Sequence, residues 1–126
     1  MILVDTHVLV WLGGGERNRI PAAVQRRLDR EQIGLSPFVH LELGYLYEIG
    51  RIRYSAQAVI EELGTRLELV VADVAAAAVC SAALALTWTR DPFDRLLAAH
   101  ATVTGLPLVT KDAVIRQHVP LAWWAE

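Results

Sequence analysis

The sequence predicts an α/β fold with a central parallel sheet of four to five strands flanked by helices. Short apolar runs alternate with stretches of helical pattern, as in chains whose strands are joined by helices. The runs are apolar at every position, which is typical of strands buried on both faces of a sheet. The 126 residues, 54% of them hydrophobic, suffice for one core. We therefore expect residues 1–126 to form a single domain.

Caps and breaks predict the elements of the first half of the chain. Residues 1–4 form an apolar, β-branched run that ends at Asp5, which predicts a strand. Proline is favoured in the first turn of a helix and serine at its N-cap, so that Pro21 and the pair Ser36-Pro37 predict two helix starts. These signals predict strands at 1–4 and 32–35, an apolar segment at 8–12, and helices at 21–31 and 37–49.

The second half continues the alternation. Ser55 and Asp73 are predicted N-caps, the second one for a long alanine-rich helix. Asp91-Pro92 begins a helix that ends at Gly105, because glycine readily adopts the left-handed conformation that closes a helix. The predicted elements are helices at 56–67, 73–88 and 92–105, strands at 67–71, 107–110 and 120–124, and a short helix that begins at Asp112.

Composition excludes several classes of protein. The chain carries 12 Lys and Arg against 14 Asp and Glu, a formal charge of -2, so bulk positive charge cannot hold it to nucleic acid. Its single cysteine excludes an intramolecular disulfide and a Cys-based zinc site. There is no basic signal-peptide start and no run of about 20 apolar residues. We expect a cytoplasmic protein that does not enter a membrane.

Carboxylates stand where the predicted strands end. Asp5 follows the first strand, Asp112 follows the strand at 107–110, and Asp91 and Asp94 open the helix between them. Ligands of parallel sheets bind beyond the carboxyl ends of the strands, so these side chains are expected in a binding site. Each also has a structural alternative, since Asp91 and Asp112 are ordinary N-caps and Asp5 can form a local turn.

Glu42 lies on the predicted helix at 37–49, within an apolar stripe that consists of Phe38, Leu41, Tyr45 and Ile49. A buried carboxylate without a partner costs several kcal/mol. We therefore expect Glu42 either to form an ion pair with an arginine or to bind a cation.

Four carboxylates that met at one sheet edge would repel one another, and a divalent cation would remove this repulsion. They belong to Asp5, Glu42, Asp94 and Asp112. Ligands that are all oxygen, with no cysteine and no paired histidine spacing, favour Mg²⁺ or Mn²⁺ over zinc. Such ions suit phosphoryl-transfer chemistry.

Four segments of the chain together resemble the PIN domain family, and more closely its VapC-like toxins of bacterial toxin–antitoxin pairs. The likeness covers nearly the whole chain, in the family's order and spacing. The segments are Ile2-Leu3-Val4-Asp5-Thr6, the helix from Ser36-Pro37 to Glu42, Asp91-Pro92-Phe93-Asp94-Arg95-Leu96-Leu97-Ala98-Ala99, and Leu108-Val109-Thr110-Lys111-Asp112.

The resemblance implies a metal-dependent endoribonuclease that leaves 5′-phosphate and 3′-hydroxyl ends. It implies that the catalytic and metal-binding acids are Asp5, Glu42, Asp94 and Asp112, with Asp91 as an auxiliary or alternative ligand. Thr6 and Thr110 match the family's hydroxyl positions near the metal. The implied partners are RNA, a small VapB-like antitoxin whose C-terminal tail blocks the active site, and a second copy of the chain in a homodimer.

Arg95 and Lys111 flank these acids and are candidates to hold substrate phosphate, with a plain salt bridge as the alternative. His100 lies on an apolar helix face and is interpreted as a core histidine. Aromatic residues concentrate in the first half of the chain, where they form either core or a groove for a partner peptide: Trp11, Phe38, Tyr45, Tyr47 and Tyr54.

Two other functions stay open at this point. A phospho-receiver-like signalling domain has similar length and acids after its first strand, although here Ser36-Pro37 stands where the acceptor aspartate of its middle strand is needed. A catalytically inactive PIN-like binding scaffold would bind partners without a metal and would lose nothing when Asp5 is replaced. A haloacid-dehalogenase-type phosphatase is excluded, because Asp5-Thr6-His7 lacks its second aspartate.

Overall fold

The computed structural model describes residues 1–125, and in them five parallel strands form one sheet of order β3-β2-β1-β4-β5 flanked by seven α-helices. The predicted fold class is confirmed. No helix in this described range is long and apolar enough to cross a bilayer. The elements are β1 (Ile2–Val4), α1 (Thr6–Gly13), α2 (Ala22–Arg30), β2 (Ile33–Leu35), α3 (Pro37–Glu48), α4 (Ala56–Gly64), β3 (Leu69–Val71), α5 (Ala76–Ala83), α6 (Pro92–Thr104), β4 (Leu108–Val109), α7 (Ala113–His118) and β5 (Ala122–Trp123).

The first strand lies at the centre of the sheet. In β1, Leu3 pairs with Gly34 of β2 on one side and with Leu108 of β4 on the other, and all three residues of β1 are buried. Helices on both faces complete one main core around it. Because β1 and β4 are parallel neighbours, the residues that follow them, from Asp5 and from Thr110, emerge at the same edge.

The third strand departs from the prediction that every strand is buried on both faces. In β3, Val70 is 40% and Val71 58% exposed. The reason is position, since β3 pairs only with β2 and lies at the edge of the sheet. The helix that follows it, α5, packs chiefly against α6.

The alanine-rich helix is shorter than predicted, and its predicted N-cap is wrong. The helix α5 spans only Ala76–Ala83, and Ala75 occupies the N-cap position without a side-chain hydrogen bond. Asp73 Oδ1 accepts instead from the adjacent N–H of Val74, at 3.0 Å. A local side-chain bond of this kind competes with capping of the helix, which is why the aspartate does not mark its start.

Candidate functional site

Asp5 is buried at the carboxyl end of β1 and is fixed by a residue from the other end of the chain. Its N–H donates to the carbonyl of Val109 at 2.9 Å, which continues the ladder between β1 and β4. Although Asp5 holds the N-cap position of α1, its side chain does not cap that helix. Its Oδ2 accepts a hydrogen bond of 2.6 Å from Thr110 Oγ1, and Thr110 is itself fully buried. The carboxylate is therefore oriented by a side chain from the segment that follows β4.

Thr110 also connects Asp5 to the start of α7. The N–H of Asp112 donates to Thr110 Oγ1 at 3.0 Å. The Thr110 hydroxyl thus donates to Asp5 and accepts from the N–H of Asp112. These two bonds set the position of the end of β1 relative to the start of α7.

Glu42 lies near Asp5, but the apolar stripe used to predict its burial does not form. The helix α3 buries Val39 and Leu43, whereas Leu41, Tyr45 and Ile49 are 47–64% exposed. Glu42 sits at the border of the buried face and is half-buried. Its Oε1 accepts a hydrogen bond from Thr6 Oγ1 of α1. Among residues 1–125, no Arg or Lys forms an ion pair with Glu42, so the predicted salt-bridge alternative is wrong.

Asp91 and Asp112 are N-caps, as their structural alternative predicted. Each accepts hydrogen bonds from the backbone N–H groups of the second and third residues after it. The distances are 2.8 and 3.2 Å for Asp91, and 2.8 and 3.0 Å for Asp112. All four bonds use Oδ1, so that capping does not consume the second oxygen of either carboxylate. Asp94 follows in the first turn of α6 and is half-buried.

The five carboxylates share one electrostatic environment. Burial raises the pKa of Asp94 to about 7, with further contributions from Asp91, Asp5, Asp112 and Glu42 in that order. Burial also raises the pKa of Asp5 against the opposing hydrogen bond from Thr110. The pKa of Glu42 is raised by burial, opposed by Thr6 and increased again by Asp5 and Asp91. Neighbouring acids therefore add to the effect of burial and make Asp5, Glu42 and Asp94 harder to ionise, as expected of carboxylates that face a common space.

The donor set suits a hard divalent cation in chemistry and in charge. It consists of carboxylate and hydroxyl oxygens, the ligand type of Mg²⁺ and Mn²⁺. A dication would also relieve the repulsion that raises the pKa values of these acids. In the part of the chain that the structure describes, no three Asp, Glu, His or Cys side chains already converge as a ligand cluster. Ligation therefore requires the carboxylates to draw closer together.

A cavity of about 320 Å³ opens beside the acids. It is lined by Asp5, His7, Trp11, Lys111 and Asp112. Lys111 is exposed at this cavity, and its Nζ lies 5.7 Å from the centroid of the Trp11 ring.

Arg95 behaves differently from Lys111, because its Nε donates to the carbonyl of Thr89 at 2.8 Å. Neither residue forms an ion pair within residues 1–125, so the salt-bridge alternative is wrong for both.

The structure divides the predicted aromatic group. Trp11 lines the acidic cavity, a position that sequence reasoning missed although His7 and Trp11 lie four residues apart directly after Asp5. Tyr45, Tyr47 and Tyr54 are 47–48% exposed. A peptide groove at these tyrosines stays a prediction.

His100 is confirmed as a core histidine. It is fully buried on α6, and its Nδ1 lies 2.8 Å from Ser36 Oγ, the hydroxyl that caps α3. The contact joins the helix that carries Asp94 to the helix that carries Glu42.

Comparison with known proteins adds a family to this geometry. Residues 2–119 match the PIN domain family. Ribonuclease VapC22 of Mycobacterium tuberculosis (strain ATCC 25618 / H37Rv) is 31% identical over 121 residues, which are 93% of this chain and 91% of that protein.

Two solved structures share the fold. VapBC2 from Rickettsia felis, bound to a DNA fragment from its promoter, superposes with a TM-score of 0.67 at 20% identity and covers 98% of this chain and 99% of the other. DNA-bound VapBC from Salmonella typhimurium gives a TM-score of 0.65 at 24% identity, covering 97% and 96%.

Proposed function

The chain belongs to the PIN domain family, and from this premise we propose that it is an endoribonuclease toxin that uses Mg²⁺ or Mn²⁺ and is neutralised by a cognate antitoxin. The observation that carries the proposal is the group of carboxylates beyond the carboxyl ends of β1 and β4, in which burial and neighbouring acids raise the pKa values of Asp5, Glu42 and Asp94. A curated relative at 31% identity is a ribonuclease, which supports the reaction. The structural matches are toxin–antitoxin complexes, which supports the partner.

In this proposal Asp5, Glu42, Asp94 and Asp112 hold the cation, and Asp91 is an auxiliary or alternative ligand. When bound, such an ion lowers the pKa of water and offsets charge on the attacked phosphodiester. Thr110 and Thr6 orient the metal ligands in this proposal. Their hydroxyls donate to Asp5 and Glu42 and fix the direction in which those carboxylates point.

Charge distribution supports RNA as the substrate. The five acids assigned to the site leave nine acids against twelve cations in the rest of the chain, a balance of +3. Lys111 stands beside the acids and is placed to meet a backbone phosphate, and Arg95 is proposed to do the same once released from Thr89. The phosphate backbone of RNA is attracted to the positively charged surroundings of the site. It is repelled at the centre of the site until the carboxylates are neutralised.

We also propose that the protein acts in the cytoplasm as a homodimer, in line with an RNA substrate and a protein antitoxin. The phospho-receiver alternative is set aside by the family match and by Ser36 at the end of β2, where no acceptor aspartate is present. The inactive-scaffold alternative shares the family and is tested by the loss of cleavage described below.

Metal removal provides the direct test of this function. We expect the purified chain to cleave single-stranded RNA with Mg²⁺ or Mn²⁺, to lose this activity in EDTA, and to recover it when excess Mg²⁺ is added. The measurement is the appearance of 5′-phosphate fragments on denaturing gels. Growth arrest on expression, relieved by a small co-encoded partner, would identify the toxin role. Cleavage that is equally fast in EDTA would overturn the proposed chemistry.

Thr110→Val should weaken Mg²⁺ binding by about 10-fold or more, the order typical for loss of a residue that orients a metal ligand. Valine keeps the volume of threonine but leaves Asp5 Oδ2 without its 2.6 Å donor. The apparent Kd follows from the Mg²⁺ concentration that raises the thermal unfolding midpoint. The matched control is Thr102→Val, an exposed position whose hydroxyl bonds only to Ala98 of its own helix. Equal Mg²⁺ affinity in both variants would contradict the positioning role.

A further inference from the structure

We propose that the cavity beside the carboxylates is a nucleotide subsite, in which Trp11 stacks on a base of the RNA and Lys111 and Arg19 bind its phosphates. This inference rests on the proposed ribonuclease function and deepens it, since it names the groups that hold the substrate next to the reacting phosphodiester. The cavity is lined by two acids, Asp5 and Asp112, together with His7, Trp11 and Lys111.

One helix carries both the acid and the aromatic ring. Asp5 precedes α1, His7 lies in its first turn, and Trp11 follows one turn later. Six residues of α-helix correspond to a rise of about 9 Å, so a base on Trp11 lies within a few nucleotides of a phosphate at Asp5. The tryptophan packs partly against the core, which fixes its ring without burying it fully.

Two cations lie near the partly exposed ring of Trp11. Lys111 Nζ and Arg19 Cζ each lie 5.7 Å from the centroid of Trp11, within cation–π range. Lys111 forms no ion pair in the described residues, and Arg19 has only a solvent-exposed pair of 3.5 Å with Glu16. Exposed pairs of this kind are weak, so that a phosphate can compete for both cations.

This combination is the one by which proteins hold single-stranded nucleic acid. Aromatic rings stack on bases of any sequence, while nearby cations follow the backbone. At about 320 Å³, the cavity is at the small end of the range for ligand pockets, about 300–1,000 Å³. This volume suits a single nucleotide. An apolar peptide side chain would use the ring but would leave Lys111 and Arg19 without a counter-charge.

The first arm of the test uses adenosine 5′-monophosphate and the four indole N–H signals of the protein in NMR spectra, recorded with Mg²⁺ present. We expect the Trp11 signal, assigned by its absence in Trp11→Phe, to shift progressively on titration. Trp88, Trp123 and Trp124 serve as internal controls within the same sample. Shifts confined to the other three indoles, or none at all, would overturn the subsite.

The second arm compares two leucine substitutions in the cleavage assay. Trp11→Leu keeps apolar bulk but removes the stacking surface, and we expect KM for single-stranded RNA to rise about 5- to 100-fold with a much smaller change in kcat. The matched control is Trp123→Leu. The ring of Trp123 also has a cation over it, Arg27 at 4.8 Å, but Trp123 does not line the cavity. Trp123→Leu should retain the wild-type KM.

The two arms separate this inference from the function on which it rests. If the wild-type protein cleaves RNA, Trp11→Leu has a wild-type KM and the Trp11 indole is silent, the subsite is wrong and the ribonuclease stands. If the indole responds to the nucleotide but the wild-type protein cleaves no RNA, the subsite stands and the proposed reaction is wrong. The indole titration needs no folded variant at position 11 other than Trp11→Phe.

Discussion

Asp5→Asn should lower the rate of Mg²⁺-dependent RNA cleavage by more than about 100-fold, since loss of a group that only supports a metal ligand already costs about 10- to 100-fold. Asp5 is the most buried of the five carboxylates, and burial together with the neighbouring Asp112 raises its pKa. A cation is the natural counter-charge for such a group. Asparagine removes the charge but retains an oxygen that accepts from Thr110, so the fold should survive.

The measurement is cleavage of single-stranded RNA over a range of Mg²⁺ concentrations, with circular dichroism as the check on folding. The matched control is Asp29→Asn, because Asp29 is an exposed carboxylate whose partner is Arg17 and which does not interact with the site. It should cleave at the wild-type rate. Unchanged Mg²⁺-dependent cleavage by Asp5→Asn would contradict the assigned site. If the wild-type protein has no such activity but binds partners without metal, the scaffold alternative holds instead.

Asp94 makes the second strong prediction, which concerns pH. Its pKa is about 7 in the folded protein, against an ordinary value of 3.8. A carboxylate with a raised pKa contributes stability that is fully present below the unfolded value and is lost as pH rises through the folded value. The metal-free protein should therefore lose stability between about pH 4 and pH 7. Asp94→Asn should reduce this loss and raise the thermal unfolding midpoint of the metal-free protein at pH 8.

Mg²⁺ should reverse the direction in which pH changes the stability of the wild-type protein. Ligation needs the ionised carboxylate, so protons compete with the metal below about pH 7. We expect Mg²⁺ to raise the unfolding midpoint of the wild-type protein more at pH 8 than at pH 6, and to have little effect on Asp94→Asn. Thermal unfolding with and without Mg²⁺ at the two pH values tests this, with Asp73→Asn as the exposed control. A larger Mg²⁺ effect at pH 6 would contradict the assignment of Asp94 as a ligand.

Local signals explain why most of the fold was predictable from the sequence. Ser36-Pro37 and Asp91-Pro92 begin helices because their caps use backbone groups two or three residues away. The same reasoning was wrong at Asp73, whose side chain accepts from the adjacent N–H of Val74 instead of capping a helix. Both bonds are local, so the sequence does not decide between them. Exposure of β3 was not predictable either, since it depends on which strand becomes the edge of the sheet.

Glu42 shows how a residue is selected for a wrong reason. Periodicity placed it in a buried stripe with Leu41 and Tyr45, but α3 buries the face of Val39 and Leu43. The helix is apolar nearly all round, so its pattern alone does not identify the inner face. What lies next to Glu42 is Thr6, which is 36 residues away in sequence and is brought there by the packing of α1 on α3. Contacts of this separation follow from topology and not from local pattern.

The central position of β1 has a consequence for the synthesis of the protein. In chain order β1 comes before both of its neighbours, and β4 with Thr110 follows about a hundred residues later. A chain interrupted before β4 lacks Thr110 and Asp112, so Asp5 has neither its hydrogen-bond donor nor its opposing acid. The order of translation therefore delays the assembly of the proposed site until β4 and the start of α7 have been made.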